Sequence, residues 1–206
     1  MKKGKFISFE GVEGSGKSTQ MKLAIKFLEK KGFPVVFVYE PGSTAIGEEI
    51  RKVLLDPAYK KIDNYCELFL FIASRAQLIK QTIEPELAKG KIVVSDRFTD
   101  ATICYQGYGS GLDIDFIKRV NSFAKLKPDL TILLDINAVK GLQRVKQKDR
   151  IEQKCLAYHQ RVREGYLKLT AEEPERIKIV EAEGVKETAE KIRKLLERFL
   201  GLQPML

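Results

Sequence analysis

The sequence predicts a three-layer α/β fold in which helices cover both faces of a five-stranded parallel sheet. Segments with strand character alternate along the chain with segments of helical spacing, an order typical of a parallel sheet with helical crossovers. The strand segments are also continuous apolar runs rather than alternating ones. Strands buried on both faces have this pattern, which favours helices above and below the sheet.

The predicted strands are short runs rich in β-branched and aromatic residues. The first runs from Lys5 to Phe9, and glycines follow it directly. The second, Val35 to Tyr39, ends at the turn sequence Glu40-Pro41-Gly42. The other three predicted strands are 92–95, 130–134 and 177–180.

The predicted helices lie between these strands. Apolar residues at helical spacing mark the first helix, from Ser18 to Lys31, and Gly32 ends it. The other helical segments are 46–55, 64–83 (before Pro85), 116–123, 139–146, 155–170 and 185–200. The chain has no internal repeat or linker, and 206 residues are the usual size of one domain, so we expect a single domain over 1–206.

The charge balance is strongly basic, with 37 Lys and Arg against 28 Asp and Glu, a net charge of +9. An excess of this size suggests an anionic partner: nucleic acid, a lipid surface or phosphorylated small molecules. No apolar run approaches the roughly eighteen residues of a membrane span, so no membrane partner is expected. The three cysteines, Cys66, Cys104 and Cys155, have no metal-ligand spacing, which favours reduced thiols in a cytoplasmic protein.

A phosphate-binding loop follows the first strand. The sequence Gly-Val-Glu-Gly-Ser-Gly-Lys-Ser at 11–18 matches GxxxxGK[ST] and lies between a predicted strand and a predicted helix. The glycines let backbone N–H groups surround phosphate oxygens, the lysine reaches the β- and γ-phosphates, and the serine hydroxyl can ligate Mg²⁺. The pattern predicts a P-loop NTPase fold whose ATP-binding residues are Gly11, Val12, Glu13, Gly14, Ser15, Gly16, Lys17, Ser18 and Thr19.

Other sequence features narrow the class of P-loop protein. The chain contains neither the NKxD sequence with which GTPases read guanine nor the LSGGQ-like signature of transporter ATPases. Its remaining length carries further charged groups, which favours a small kinase with a second substrate site.

Two such groups are candidates for that second site. Asp96 and Arg97 follow the strand at 92–95 and should reach the same edge of the sheet as the P-loop; Asp135, after the fourth strand, ranks below Asp96 as a metal ligand. Phe71 and Arg75 are four residues apart on one helix face, which places a ring for base stacking beside a guanidinium for the base edge.

Together these segments resemble the thymidylate kinase family over essentially the whole chain. The resemblance rests on the P-loop segment 9–20 and on Glu40-Pro41-Gly42, Leu68 to Arg75, Asp96-Arg97-Phe98, Tyr105-Gln106-Gly107, Pro128 to Thr131 and Arg150-Ile151-Glu152. It implies phosphoryl transfer from ATP to dTMP, giving dTDP and ADP for dTTP synthesis, with Mg²⁺ as cofactor. It also implies a homodimer.

The resemblance further implies roles for individual residues. Phe71 would stack on thymine, Arg75 would bond its carbonyl edge, and Tyr105 would press against the sugar. Glu13 would meet the 3′-hydroxyl. The other dTMP-binding residues would be Glu40, Pro41, Arg51, Arg97, Thr102 and Gln106, and the metal ligands Ser18 and Asp96.

Cations near the transferring phosphoryl group are expected from the P-loop and from a short basic lid at about 143–154. Some family members carry an arginine in the P-loop where this chain has Gly14, and others supply the cation from the lid. This chain follows the second plan, and of its lid cations we expect Arg150 or Lys148 at the transferring phosphoryl group, with Arg144 next. The predicted catalytic residues are therefore Lys17, Asp96, Arg97, Arg144, Lys148 and Arg150. The chain departs from the bacterial family pattern at Tyr39, Ser43, Ala101 and Cys104.

Two alternatives stay open at this point. Another nucleoside monophosphate or deoxynucleoside kinase would use the same P-loop with a different acceptor. A nucleic-acid-binding NTPase would use the +9 charge, but the chain has no recognised nucleic-acid module and its aromatic residues do not interleave with a basic stripe, so no nucleic-acid partner is expected.

Overall fold

The computed structural model describes residues 4–146 and 149–202. Its centre is one five-stranded sheet with the strand order β2-β3-β1-β4-β5 and parallel pairing throughout. The strands are β1 (Lys5–Glu10), β2 (Val35–Tyr39), β3 (Ile92–Asp96), β4 (Leu130–Asp135) and β5 (Ile177–Glu181). The predicted parallel sheet and its five strands are confirmed.

Helices connect successive strands. They are α1 (Lys17–Lys30), α2 (Ala45–Leu55), α3 (Asn64–Leu78), α4 (Glu84–Ala88), α5 (Thr99–Thr102), α6 (Ile114–Asn121), α7 (Ala138–Arg144), α8 (Leu156–Glu172) and α9 (Val185–Leu200). A π-helical turn, Ile79–Ile83, joins α3 to α4, so the helical stretch continues beyond its predicted end at residue 83. Pro85 lies in the first turn of α4, where a missing N–H is tolerated best.

A second π-helical segment, Ile103–Gly109, follows α5 and was not predicted from the sequence. Its β-branched and aromatic residues and two glycines are weak helix formers. The segment packs along α8 instead, with Cys104 and Tyr105 buried in a shared core. Tertiary packing therefore imposes helical structure that local propensity does not indicate.

Alternate strand residues point to opposite faces of the sheet, and the buried apolar residues of the described chain form three clusters. Ile7 and Phe9 pack with Leu28 of α1 and Leu196 of α9 on one face. Phe6, from the same strand, packs on the other face in a core that includes residues of α3 and β3. Both cores are almost fully buried, which accounts for the continuous apolar strands.

The strand order places a crevice between β1 and β3. These two strands are neighbours, with Phe9 opposite Asp96, and both end at the same edge of the sheet. The chain leaves β1 for α1 on one face and leaves β3 for the helices of the opposite face. A crevice at such a switch point is where open α/β sheets bind their ligands.

The described part of the predicted lid segment includes a tight turn. Asp149 Oδ1 accepts hydrogen bonds from the N–H groups of Ile151 and Glu152, and Glu152 Oε2 accepts one from the N–H of Asp149. These reciprocal bonds fix the turn much as a capping box fixes a helix start. Within the described ranges, no helix has the length and apolarity of a membrane span.

Candidate active site

The loop between β1 and α1 has the backbone of a phosphate cradle. Gly11, Gly14 and Gly16 have φ values of 140°, 68° and 89°, conformations that strongly favour glycine. The Lys17 side chain is buried and folded over its own loop, where Nζ donates to the carbonyl oxygens of Gly11 (2.9 Å) and Val12 (3.1 Å). Burial and the nearby Arg97 lower the pKa of Lys17, against the opposing effect of Glu13 and Asp96.

A contact between two glycines joins the P-loop to α7, the helix that precedes the predicted lid segment. A Cβ on Gly14 would collide with the backbone carbonyl of Gly141 in α7, and a Cβ on Gly141 would collide with the carbonyl of Glu13. The P-loop position where some family members carry arginine therefore has no room for a side chain while α7 lies in this place. This contact gives a physical reason for a cation supplied from elsewhere.

Arg97 lies at the centre of the crevice in a strained backbone conformation. Its φ is 69°, which is uncommon for a residue with a side chain, and Ser95 Oγ donates to its carbonyl oxygen at 2.6 Å. The guanidinium donates to Glu13 Oε1 at 2.7 Å and to Gly11 O at 3.1 Å, and it stacks over the ring of Tyr105 at 4.6 Å. These contacts aim the guanidinium at the P-loop.

Glu13 is ionised despite its burial. Desolvation alone would raise its pKa, but Arg97, Lys17 and the Tyr105 hydroxyl together hold the pKa at about 2. Arg97 and Tyr105 both donate to Oε1, at 2.7 and 2.6 Å. Oε2 is thus the oxygen through which Glu13 would accept a bond from a ligand hydroxyl.

A second buried glutamate, Glu10, lies beneath Arg97 and has no sequence signal of its own. Its Oε1 accepts from the N–H of Phe98 at 2.7 Å, and Oε2 lies 2.7 Å from the hydroxyl of Tyr166. Desolvation, then the charge of Asp100, raise its pKa to about 8, against the lowering effect of Arg97. Glu10 therefore supports the turn after β3 from inside the core.

The cleft beside Arg97 is also lined by Phe71 and Arg75 of α3. The Arg75 side chain is buried: Nε donates to Glu40 Oε2 at 2.8 Å, one terminal nitrogen to Asn121 Oδ1 at 2.6 Å, and the other to Phe98 O and Thr102 Oγ1. These bonds use four of the five N–H groups of a guanidinium. The second N–H on the nitrogen bonded to Asn121 takes part in none of these bonds.

Glu40 carries a buried oxygen without a protein partner. Its Oε2 pairs with Arg75 at 2.6 Å, whereas Oε1 makes no hydrogen bond. Desolvation raises the pKa of Glu40, and Arg75 opposes that rise. The following residue, Pro41, has a cis peptide bond and accepts a hydrogen bond from Arg51 at 2.8 Å.

Tyr39 and Ser43, two residues that depart from the family pattern, share a small hydrogen-bond network. The Tyr39 hydroxyl and the Ser43 N–H both donate to Glu48 Oε1, at 2.6 and 2.7 Å, and Ser43 Oγ accepts from the Tyr39 N–H. Ser43 has a φ of 62°, in the region that favours the glycine usual at this position. Arg51 stacks over the Tyr39 ring at 5.3 Å, so the tyrosine also contacts a cation that lines the cleft.

A single cleft of about 820 Å³ brings together most of the predicted site residues. Those that line it are Glu13, Gly14, Ser15, Gly16, Lys17, Ser18, Thr19, Glu40, Pro41, Arg51, Phe71, Arg75, Asp96, Arg97, Thr102, Tyr105, Gln106 and Arg144. Gly11 and Val12 form the base of the loop behind them. Ala101 also lines the cleft, and Cys104 is buried behind it.

The predicted lid cations have different surroundings. Arg144, at the end of α7, lines the cleft and lies 3.4 Å from the carbonyl oxygen of Gly14. Lys148 lies outside the described residues. Arg150 does not line the cleft: its guanidinium is buried, donates to Leu54 O at 2.7 Å and pairs with Glu67 at 2.6 Å.

Oxygen ligands for a cation are present at the P-loop edge of the cleft. Asp96 Oδ1 is buried without a hydrogen-bond partner, and Ser18 lines the same edge. Asp135, the lower-ranked candidate, makes a bidentate pair with Arg163 at 2.7 Å instead. The described residues contain no group of three His, Cys, Asp or Glu that could hold a metal alone, so a cation here would share its ligands with a bound phosphate, as Mg²⁺ commonly does.

Comparisons with known proteins agree with this geometry. The family model described as thymidylate kinase matches residues 9–194. A thymidylate kinase of Symbiobacterium thermophilum is 46% identical over 200 residues, covering 95% of this chain and 94% of the relative. One from Halothermothrix orenii is 48% identical over 179 residues, covering 81% and 84%.

A solved structure shows the same fold. The crystal structure of thymidylate kinase from Ehrlichia chaffeensis superposes with a TM-score of 0.79 at 31% identity, covering 94% of this chain and 98% of that one. These matches support phosphorylation of dTMP over the two alternatives considered above, which were another nucleoside monophosphate or deoxynucleoside kinase and a nucleic-acid-binding NTPase. The chain belongs to the thymidylate kinase family, and it is a kinase that phosphorylates dTMP in dTTP synthesis.

Proposed function

We propose that the γ-phosphoryl group of ATP passes to the phosphate of dTMP within the one cleft, giving ADP and dTDP. The observation that carries this proposal is the direct link between the two halves of the cleft. Arg97 bonds Glu13 of the P-loop on one side and stacks on Tyr105 beside the base pocket on the other. A volume of about 820 Å³ is also in the range of sites that hold sizeable ligands.

The donor side is the P-loop. Its backbone N–H groups and Lys17 would hold the β- and γ-phosphates of ATP. Ser18 and the unpartnered oxygen of Asp96 would hold Mg²⁺, and the ion when bound would neutralise part of the phosphate charge. The ion is therefore proposed to arrive with the nucleotide.

The acceptor side is the pocket beside Arg97. Phe71 would stack on thymine, and the remaining N–H of Arg75 would donate to a base carbonyl. The Glu13 Oε2 oxygen would accept a bond from the 3′-hydroxyl, and Tyr105 would press against the sugar where a 2′-hydroxyl would otherwise fit. Thr102 and Gln106 would complete the edge of the base site, with Glu40 and Pro41 forming the wall next to Arg51.

The chemistry needs cations rather than a base. The acceptor phosphate is already anionic, so no general base has to remove a proton, and in-line positioning with charge neutralisation is sufficient. Arg97 and Arg51 would hold the acceptor phosphate, and Lys17 the donor. Of the described lid cations we assign the transferring phosphoryl group to Arg144, because Arg150 is already paired with Glu67.

A coupled assay of ADP formation tests this proposal. We expect turnover with dTMP well above that with dUMP, dGMP or no acceptor. Arg144→Gln should lower kcat about a hundredfold or more, the usual scale for a cation on a transferring phosphoryl group. Lys140→Gln, an exposed change on the same helix, is the control and should keep full activity. No turnover with dTMP, or an Arg144→Gln protein with unchanged kcat, would contradict the proposal.

The enzyme is further proposed to be a cytoplasmic homodimer with one domain over 1–206 and a lid at about 143–154. Exposed apolar side chains on the packed helices α2 and α3 support the dimer: Ile46, Val53, Tyr65 and Phe69. Apolar groups concentrated on two packed helices suit a protein interface. Light scattering of the purified chain measures the mass directly, and a monomer at micromolar concentration would exclude this assembly.

A further inference from the structure

Glu67 is a buried carboxylate that joins the base pocket to the root of the lid. It lies in the first turn of α3, outside the cleft, and its side chain is 1% exposed. Oε1 accepts a hydrogen bond from Gln106 Nε2 at 2.8 Å, and Oε2 pairs with Arg150 at 2.6 Å. Lys154 Nζ approaches both oxygens at 3.4 and 3.5 Å.

This contact determines which end of the Gln106 amide is available to a ligand. An ionised carboxylate can only accept hydrogen bonds, so the NH₂ group of Gln106 must face Glu67. Gln106 is itself buried and lines the cleft, so its carbonyl oxygen is the part left for the base. The pocket then offers one acceptor, from Gln106, and one donor, from Arg75.

We propose that Glu67 is a positioning residue that sets the hydrogen-bond polarity of the base pocket through Gln106. The inference rests on the proposed function, in which dTMP occupies this pocket. Thymine has a donor at N3–H next to a carbonyl at C4, which matches an acceptor beside a donor. Cytosine has an acceptor at N3 and an amino group at C4, so both contacts would be reversed.

The effect of Glu67→Gln follows from the same rule. Arg150 only donates, so the new amide turns its oxygen toward Arg150 and its NH₂ group toward Gln106. Gln106 must then rotate and present its own NH₂ group to the cleft, where it faces the N3–H of thymine. Two opposed donors in a buried site cost far more than the loss of one bond in water.

The experiment is a double-mutant cycle on dTMP affinity, measured by calorimetry on the full chain without ATP. We expect Glu67→Gln to weaken dTMP binding about ten- to a hundredfold, and Gln106→Ala to weaken it as well. In the Gln106→Ala background the added Glu67→Gln change should have less than about a twofold effect, since no amide is left to orient. ATP affinity should stay within about twofold in each variant.

A second readout separates polarity from general damage to the pocket. Competition binding with dCMP should show that Glu67→Gln narrows the ratio of dTMP to dCMP affinity by about tenfold, because N3 of cytosine accepts a hydrogen bond. Lys154→Gln is the matched control: it removes a charge beside Glu67 but leaves the Gln106 contact, and should bind dTMP within about threefold of the unmodified chain.

Stability is controlled with Glu67→Gln/Arg150→Gln, which removes the buried charge that the single change leaves without its ionic partner. Because a glutamine at position 150 can accept as well as donate, this pair no longer forces the amide at position 67 to turn, and we expect its dTMP affinity to return to within about threefold of the unmodified chain. If the single variant does not fold, Glu67→Gln/Arg150→Lys, in which residue 150 still only donates, takes its place in the cycle with and without Gln106→Ala. Two results would overturn this inference and leave the proposed function standing. One is an equal loss of dTMP affinity from Glu67→Gln in the unmodified and the Gln106→Ala backgrounds. The other is a ratio of dTMP to dCMP affinity that Glu67→Gln does not change. Normal dTMP binding by Gln106→Ala would overturn the proposed role of Gln106 and the inference with it.

Discussion

The ion pair between Arg75 and Glu40 permits a direct test of how burial changes the contribution of an ion pair to the free energy of unfolding. The N···O distance is 2.6 Å, and the two side chains are 1% and 3% exposed. The pair between Lys52 and Glu49 has the same distance of 2.6 Å, but its side chains are 70% and 71% exposed. The two pairs therefore match in length and differ in solvent access.

Removing one partner should have very different costs at the two places. Glu40→Ala leaves a buried guanidinium without its counter-charge, which costs about 3–5 kcal/mol of unfolding free energy. Glu49→Ala removes an exposed contact that contributes less than about 1 kcal/mol. For a domain of this size, about 2–4 °C per kcal/mol, we expect a fall in Tm of roughly 6–20 °C for Glu40→Ala and less than about 4 °C for Glu49→Ala.

Urea unfolding and a thermal scan of the chain without nucleotide measure both variants. Glu40→Ala/Arg75→Met should recover much of the loss, because it removes the uncompensated charge together with its partner. Similar stabilities for Glu40→Ala and Glu49→Ala would refute the reasoning, since water would then have to reach Arg75 as freely as it reaches Lys52.

Two further predictions concern the P-loop and the buried glutamate beneath it. Gly14→Ala should lower the free energy of unfolding at least about twice as much as Gly32→Ala, and it should also weaken ATP binding. Both glycines have a positive φ, which costs about 1–2 kcal/mol for a residue with a side chain, but only Gly14 lies against the Gly141 carbonyl. Equal losses of stability in denaturant titrations of the two variants would contradict this prediction. Glu10, with its pKa raised to about 8, binds a proton in the folded state that the unfolded chain releases near pH 4.5. The unmodified chain should therefore lose stability relative to Glu10→Gln as pH rises from about 4.5 to 8, by at most about 1.4 kcal/mol per pH unit. A difference in Tm between the two proteins that does not change with pH would exclude the raised pKa of Glu10.

The features that were predictable are those with a local signature. The P-loop is contiguous in sequence, and continuous apolar runs identify each strand because a strand buried on both faces leaves that pattern. Asp96 and Arg97 could be placed near the P-loop because parallel strands end at one edge of the sheet. The spacing of Phe71 and Arg75 likewise gives a shared helix face, and both residues line the cleft.

The features that were missed depend on contacts between distant segments. Glu67 meets Gln106 across 39 residues of sequence, and neither residue has a neighbour that indicates the pairing. Arg150 looks like another lid cation in a basic run, but its side chain turns inward to Leu54 and Glu67. The side-chain direction in such a run depends on which acceptors tertiary structure places nearby, which periodicity and composition do not record.

The position of Lys17 over its own loop has a consequence for phosphate binding. Its ammonium group donates to two carbonyl oxygens, those of Gly11 and Val12. An ammonium group has three N–H donors, so one donor takes part in neither bond. A phosphate oxygen can accept from that third donor while the other two still fix the ammonium group to the loop. The loop backbone thus orients the same cation that would hold its ligand.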